Sequence, residues 1–124
     1  MWYRMSSKKK VSLVILFDGD KVLLGEKETG FELPGGHSKV DESKEDCAKR
    51  EFLEETGLSV KNLDHFRTMD MPNKVVSVFV CKDFSGELQP GSDLSDAMWL
   101  DVHNLPKLKY NGAELILKAY KKSS

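Results

Sequence analysis

The sequence predicts an α+β or α/β sandwich, one layer of strands packed against helices. Three observations predict it. Val11–Phe17 and Val75–Lys82 are apolar, β-branched runs of strand length. Two helical segments stand apart in the order, one near the middle and one at the C-terminus. A chain of 124 residues fits one domain with a real core.

The elements follow in order. Residues 1–7 (MWYRMSS) read as a short N-terminal extension, and residues 8–124 as a single domain. Val11–Phe17 is a strand, Asp18-Gly19-Asp20 a turn, and Lys21–Glu26 the second arm of a hairpin. Phe31–Leu33 is a strand fragment stopped by Pro34-Gly35-Gly36. Ser43, with Asp46 three residues on, opens a helix to about Thr56. Gly57 is its terminating glycine. Ala48 and Phe52, four apart, give that helix its buried stripe, opposite an acidic face. Val60–Met69 is a strand, Met71–Lys74 a turn, and Val75–Lys82 a strand. Phe84–Leu94 is a loop, and Ala97–Leu100 a last short strand. Asn111 or Gly112 starts a helix to about Lys121, with Leu115, Ile116 and Ala119 inward.

Composition narrows the function by exclusion. The chain is 40% hydrophobic and 31% charged, with a formal net charge of −1. Such a balance exerts no general pull on nucleic acid or anionic membrane, and neither is expected as a partner. Lys8–Lys10 ahead of VSLVILF resembles a signal peptide, but the apolar run is short and Asp18-Gly19-Asp20 ends it. Cys47 and Cys81 are too few for a disulfide scaffold and read as small buried residues of a reducing compartment. A cytoplasmic protein, monomer or homodimer, is the expectation.

Residues 36–58, GHSKVDESKEDCAKREFLEETGL, carry the chemistry. Glu51, Glu54 and Glu55 fall three and four apart on the predicted helix. Like charges so placed repel, and a divalent cation removes the repulsion. All-oxygen carboxylate clusters suit Mg²⁺ or Mn²⁺. An Arg/Glu-rich solvated helix would explain the charges. It would not explain the glycines on either side, Gly36 and Gly57.

The spacing G-x5-E-x7-R-E-U-x-E-E-x-G-U, U being bulky and apolar, resembles the signature of the Nudix hydrolases. Gly36, Glu42, Arg50, Glu51, Glu54, Glu55 and Gly57 fill every fixed position, with Phe52 and Leu58 as the apolar ones. The resemblance implies an α/β/α sandwich with a mixed central sheet, over about Lys9–Tyr120. It implies hydrolysis of a phosphoanhydride in a nucleoside diphosphate linked to a group X, with water as nucleophile and Mg²⁺ or Mn²⁺ as cofactor. The ligands implied are Glu51, Glu54, Glu55 and a backbone carbonyl of Gly35 or Gly36. Arg50 would orient a motif carboxylate, and Glu42 would sit at the loop–helix junction.

The family places its general base variably. Glu54 inside the box, or Asp93 or Asp96 ahead of Trp99, could serve, and Asp93 is preferred. Loop Asp residues also form Asx-turns without catalytic work. Lys27 could clamp a phosphate or simply face solvent. Asn111 would read a base in the MutT-like branch, or cap the last helix; the cap is the commoner role. His37, after Gly36, could contact phosphate, but a plain loop histidine is the expected role. Ser38, Lys39 and Asp41 depart from the usual pattern; Asp41 stands where glycine is common.

A nucleoside triphosphate, intact or oxidised, is the leading small-molecule substrate. ADP-ribose or another sugar nucleotide is the alternative, Pro72 being near a proline some such members carry. A third reading is a non-catalytic binding module, against which the complete glutamate set argues. RNA decapping lacks the basic surface it needs.

Overall fold

The architecture follows from two long strands whose side chains alternate between two apolar faces. The computed structural model describes residues 8–89 and 96–123. β1 (Lys9–Asp18) and β7 (Lys74–Cys81) pair in parallel over eight positions, from Lys9↔Lys74 to Leu16↔Cys81. Around them lie β2 (Lys21–Lys27), β3 (Gly30–Glu32), β4 (Gly35–His37), β6 (Asp64–Asp70) and β9 (Asp96–Asp101). The sheet runs β3-β2-β1-β7-β6, with β4 added antiparallel to β1 and β9 antiparallel to β2. Apart from β1–β7 the ladders are antiparallel, so the sheet is mixed.

Period-two alternation sorts the core into two layers. Val14 and Leu16 of β1, Leu23 of β2, and Phe79 and Cys81 of β7 meet Ala48 and Phe52 of helix α1 (Lys44–Thr56). Ile15, Phe17, Val22, Leu24, Val76, Val78 and Val80 face the other way, onto Leu115, Ile116 and Ala119 of helix α2 (Gly112–Ser123). Burial on both faces explains why β1 and β7 read as unbroken apolar runs. Helices on both sides of a mixed sheet make the expected α/β/α sandwich.

The structure corrects several boundaries. Gly35–His37 does not merely stop a strand; it forms β4, bonded to Val11–Leu13. Val60–Met69 is not one strand. Leu58–Lys61 (β5) ends before Asn62, which takes a left-handed φ of 56°, and β6 begins at Asp64. Part of the expected 84–94 loop is β8 (Asp83–Gly86), the antiparallel partner of β5. Residues 87–89 of that loop form no strand or helix; residues 90–94, Asp93 among them, and the extension at 1–7 lie outside the described residues.

The α2 entry also differs. Lys109–Asn111 forms a 3-10 turn ahead of the helix. Asn111 has φ 55°, the left-handed conformation, whereas a helix N-cap is extended. The capping role is therefore withdrawn. Neither α1 nor α2 is long and apolar enough to cross a membrane.

Candidate active site

Helix α1 is fixed at both ends by the residues that announced it. The Ser43 hydroxyl accepts the Asp46 N–H at 3.1 Å. Gly57 turns the chain at φ 83° while its N–H donates to Leu53 O at 2.9 Å. Beyond it, Gln89 N–H donates to Thr56 O at 2.7 Å, tying a distant segment to the helix end. At the other end, the buried Ser12 hydroxyl on β1 donates to Lys44 O at 3.0 Å.

Strand β4 lies so closely against this helix at Gly36 and against β1 at Gly35 that side chains are excluded at both positions. A methyl group at Gly36 would stand 2.3 Å from the Glu51 carboxyl carbon. At Gly35 it would stand 2.0 Å from Ser12 O. Both positions therefore require glycine for close approach of neighbouring protein atoms. Asp41 takes φ 64°, the glycine-like conformation that its place in the loop demands. Asp adopts this region more readily than most residues.

Arg50 organises the acidic residues. Its Nε and Nη2 donate to the two oxygens of Glu42 at 2.7 and 3.0 Å, a bidentate grip. Nη1 donates to Glu51 and to Glu54, each at 3.1 Å. Nη2 also donates to His37 O at 3.0 Å. The guanidinium beside Glu42, with the Lys39 N–H bonded to the same carboxylate, holds its pKa down to about 2.

Glu55 behaves differently, and here the sequence reading is corrected. The acidic face does not lie opposite the buried stripe. Glu55 is seven residues past Ala48 and three past Phe52, so it belongs to that stripe. Only 6% of it is exposed, and its carboxylate accepts the Gly35 N–H at 2.8 Å. Burial pushes its pKa up to about 7 against the Gly35 hydrogen bond and the nearby Lys27, both of which lower it.

The two carboxylates load stability in opposite directions. A raised folded pKa at Glu55 means that the folded chain keeps a proton which the unfolded chain has lost. Without metal, stability therefore falls as pH rises from about 4.5 to about 7. Glu42 contributes stability above about 4.5 that is lost as pH falls toward 2. Glu55→Gln should thus raise the melting temperature relative to wild type more at pH 8 than at pH 5, in chelator. Equal shifts at both values would contradict a strained Glu55 carboxylate.

A cavity of about 520 Å³ opens beside these groups. Glu51, Glu55, Gly35, Gly36 and His37 line it together with apolar Met69, Val78 and Leu115. Lys27, Lys74, Lys109 and Glu32 also line it. Lys27 contacts Glu32 at 3.0 Å, so it is engaged and not a plain solvent-facing lysine. His37 contributes its carbonyl to Arg50 and borders the cavity, a larger role than expected. Glu54 is half exposed and turned to Arg50. Asn111 is exposed, between Lys109 and Gly112 of the lining. Asp96 begins β9, opposite Glu26.

Among the described residues no three His, Cys, Asp or Glu side chains converge as a closed metal cage. Glu51 and Glu54 bond Arg50 and Glu55 bonds Gly35, so one guanidinium now supplies positive charge to much of the cluster. The donor set nonetheless suits a hard cation: carboxylate oxygens on successive helical turns beside a glycine backbone. Gly36 O accepts the Cys47 thiol at 3.4 Å, which favours the Gly35 carbonyl as the backbone donor.

Sequence reading missed Glu32, Lys74 and Lys109. Each is a lone charged residue at a strand or turn end, and only tertiary pairing brings them to one cavity. The burial of Glu55 was available from its spacing to Ala48 and Phe52.

Known proteins share this pattern. The NAD-capped RNA hydrolase NudC of Vibrio cholerae is 39% identical over 80 residues, 62% of this chain and 30% of that protein. An ADP-ribose pyrophosphatase of Methanocaldococcus jannaschii is 38% identical over 96 residues, 73% of this chain and 56% of its own length. The matched segments thus span only about a third to a little over half of these relatives. Among solved structures, a MutT protein of Bacillus halodurans superposes with a TM-score of 0.76 at 26% identity, covering 88% of this chain and 80% of that one. The NUDIX domain family model matches residues 7–120. With its box in place on the strand–loop–helix unit that the fold builds for it, the chain belongs to the Nudix hydrolase family.

Proposed function

We propose that residues 8–124 form one catalytic domain, a divalent-metal-dependent pyrophosphohydrolase acting in the cytoplasm on a small nucleotide, a nucleoside diphosphate linked to X. The observation that carries this reading is the set of Glu42, Glu51 and Glu54 ordered by Arg50, with Glu51 and the neighbouring Glu55 lining a cavity that three lysines also line.

In this reading Glu51, Glu54, Glu55 and the Gly35 carbonyl hold Mg²⁺ or Mn²⁺. The ion would neutralise phosphate charge and acidify a water. The chain's own residues do the rest. Arg50 keeps Glu51 and Glu54 oriented, and the lysines draw the phosphates to the carboxylates. A water oxygen attacks phosphorus, the P–O anhydride bond breaks, and a carboxylate takes the proton. Glu54 is the box candidate for that base; Asp93 and Asp96 are the loop candidates.

For X, we favour a sugar or second nucleoside, as in ADP-ribose. The support is that the relatives of nearly 40% identity are named for ADP-ribose and NAD-capped substrates. A nucleoside triphosphate, intact or oxidised, is the second reading, supported by the MutT likeness. Products separate the two. With Mg²⁺, ADP-ribose should yield AMP and ribose 5-phosphate by mass, whereas a triphosphate should yield a monophosphate and pyrophosphate. Chelator should abolish either reaction, and turnover indifferent to chelator would sink the metal reading.

A further inference from the structure

The geometry points to Lys109 as a substrate-binding residue that, with Lys27, grips the diphosphate of the substrate, Glu32 being the positioning residue that sets the pair. This rests on the proposed pyrophosphohydrolase reading and extends it to residues outside the box.

The argument begins with how Lys109 reaches the cavity. It lies 82 positions from Lys27 in sequence, yet both contact one carboxylate. Lys27 Nζ lies 3.0 Å from Glu32 Oε1, and Lys109 Nζ 3.5 Å from Glu32 Oε2. Two features of the backbone enforce this. Phe31, next to Glu32, forms a parallel bridge with Leu108, next to Lys109. Leu108 is buried and packs on Gly112, where an added methyl would come within 2.8 Å of its Cβ. The 3-10 turn that carries Lys109 is therefore held to the strand that carries Glu32.

The chemistry suits a diphosphate. Glu32 divides its two oxygens between the two ammonium groups, which therefore stand on either side of one carboxylate. All three residues line the cavity that Glu51 and Glu55 also line, and Lys27 and Glu32 lie close enough to Glu55 to act on its charge. A ligand in this cavity must offer negative charge to lysines and, through a cation, to glutamates. A diphosphate does both. The ammonium groups are half exposed, so a phosphate can meet them without displacing the core. A long lysine side chain loses much rotamer freedom on binding. Glu32 restricts that freedom beforehand, and so lowers what binding must overcome.

Substitutions test each role in two ways. Mg²⁺-ADP affinity, measured by calorimetry, requires no turnover. Steady-state kinetics on ADP-ribose separate KM from kcat. Lys109→Ala should weaken Mg²⁺-ADP binding and raise KM by about tenfold each, kcat staying within about twofold, the pattern of an interaction made equally before and during reaction. Lys109→Arg should recover most of the loss, because charge is restored. Glu32→Gln should raise KM by about threefold or more, since it frees both lysines. Wild-type KM and ADP affinity in Lys109→Ala would overturn the proposal, as would tighter binding in Glu32→Gln or a fall in kcat alone. If wild type binds Mg²⁺-ADP but hydrolyses no nucleotide, the hydrolase reading fails while loss of binding in Lys109→Ala still supports the grip. If wild type hydrolyses nucleotides and Lys109→Ala is unaltered, only the grip fails.

Discussion

Glu54→Gln is expected to reduce kcat at least ~100-fold while the protein melts within a few degrees of wild type; loss of a general base typically costs ~10²–10⁴-fold in rate. Two facts separate chemistry from folding at this position. Glu54 is half exposed, and its ion pair is one of several that Arg50 makes. Exposed i,i+4 pairs contribute little to stability. Its carboxylate sits beside Glu51 on the side where the cluster meets solvent, so removing it subtracts a metal ligand or base without opening the core. Kinetics in saturating Mg²⁺ and a melting curve suffice to check this. Turnover near wild type would move the base to the loop acids and remove Glu54 from the ligand set.

Arg50→Ala should have the larger effect on folding. Four acceptors, Glu42, Glu51, Glu54 and His37 O, lose one donor together. The remaining carboxylates repel, and Glu42 loses the partner that holds its pKa down. We expect the melting temperature in chelator to drop by about 5 °C or more for a domain of this size. Mg²⁺ should recover more of the loss in this variant than it adds to wild type, because the cation takes over the neutralising role. Activity should also fall about 10–100-fold, as when a group that orients metal ligands is lost. A variant with unchanged melting in chelator would show that the Arg50 network is ornamental to the fold.

The contrast between these residues shows which parts of the site were legible in sequence. The box was readable because its spacing is local: Ser43 and Gly57 mark the helix, and Glu51, Glu54 and Glu55 sit within two turns. The strands β1 and β7 were readable because burial on both faces leaves an unmistakable apolar run. Strand β4 was not, since Gly35 and Gly36 have no side chains to show a pattern; the strand is seen only in its pairing with Val11–Leu13 of β1. The break at Asn62 hid in a mixed stretch of apolar and charged residues. The lysine–Glu32 arrangement was invisible because it depends on the bridge between Phe31 and Leu108, a contact that no local period encodes.

The parallel pairing of β1 with β7 governs how the molecule comes into being. Lys9 and Lys74 are partners across 65 positions, and the whole Nudix box lies inside the loop that this pairing closes. As the chain leaves the ribosome at about 5–20 residues per second, the box emerges seconds before β7 is available. In that interval Phe52 and Ala48 lack Phe79 and Cys81 as cover. Closing so long a loop must precede the contacts that reward it, which slows folding. The candidate site is thus a late product of assembly: nascent chains that stop short of β7 would carry every box glutamate and still present an apolar helix face to chaperones and proteases.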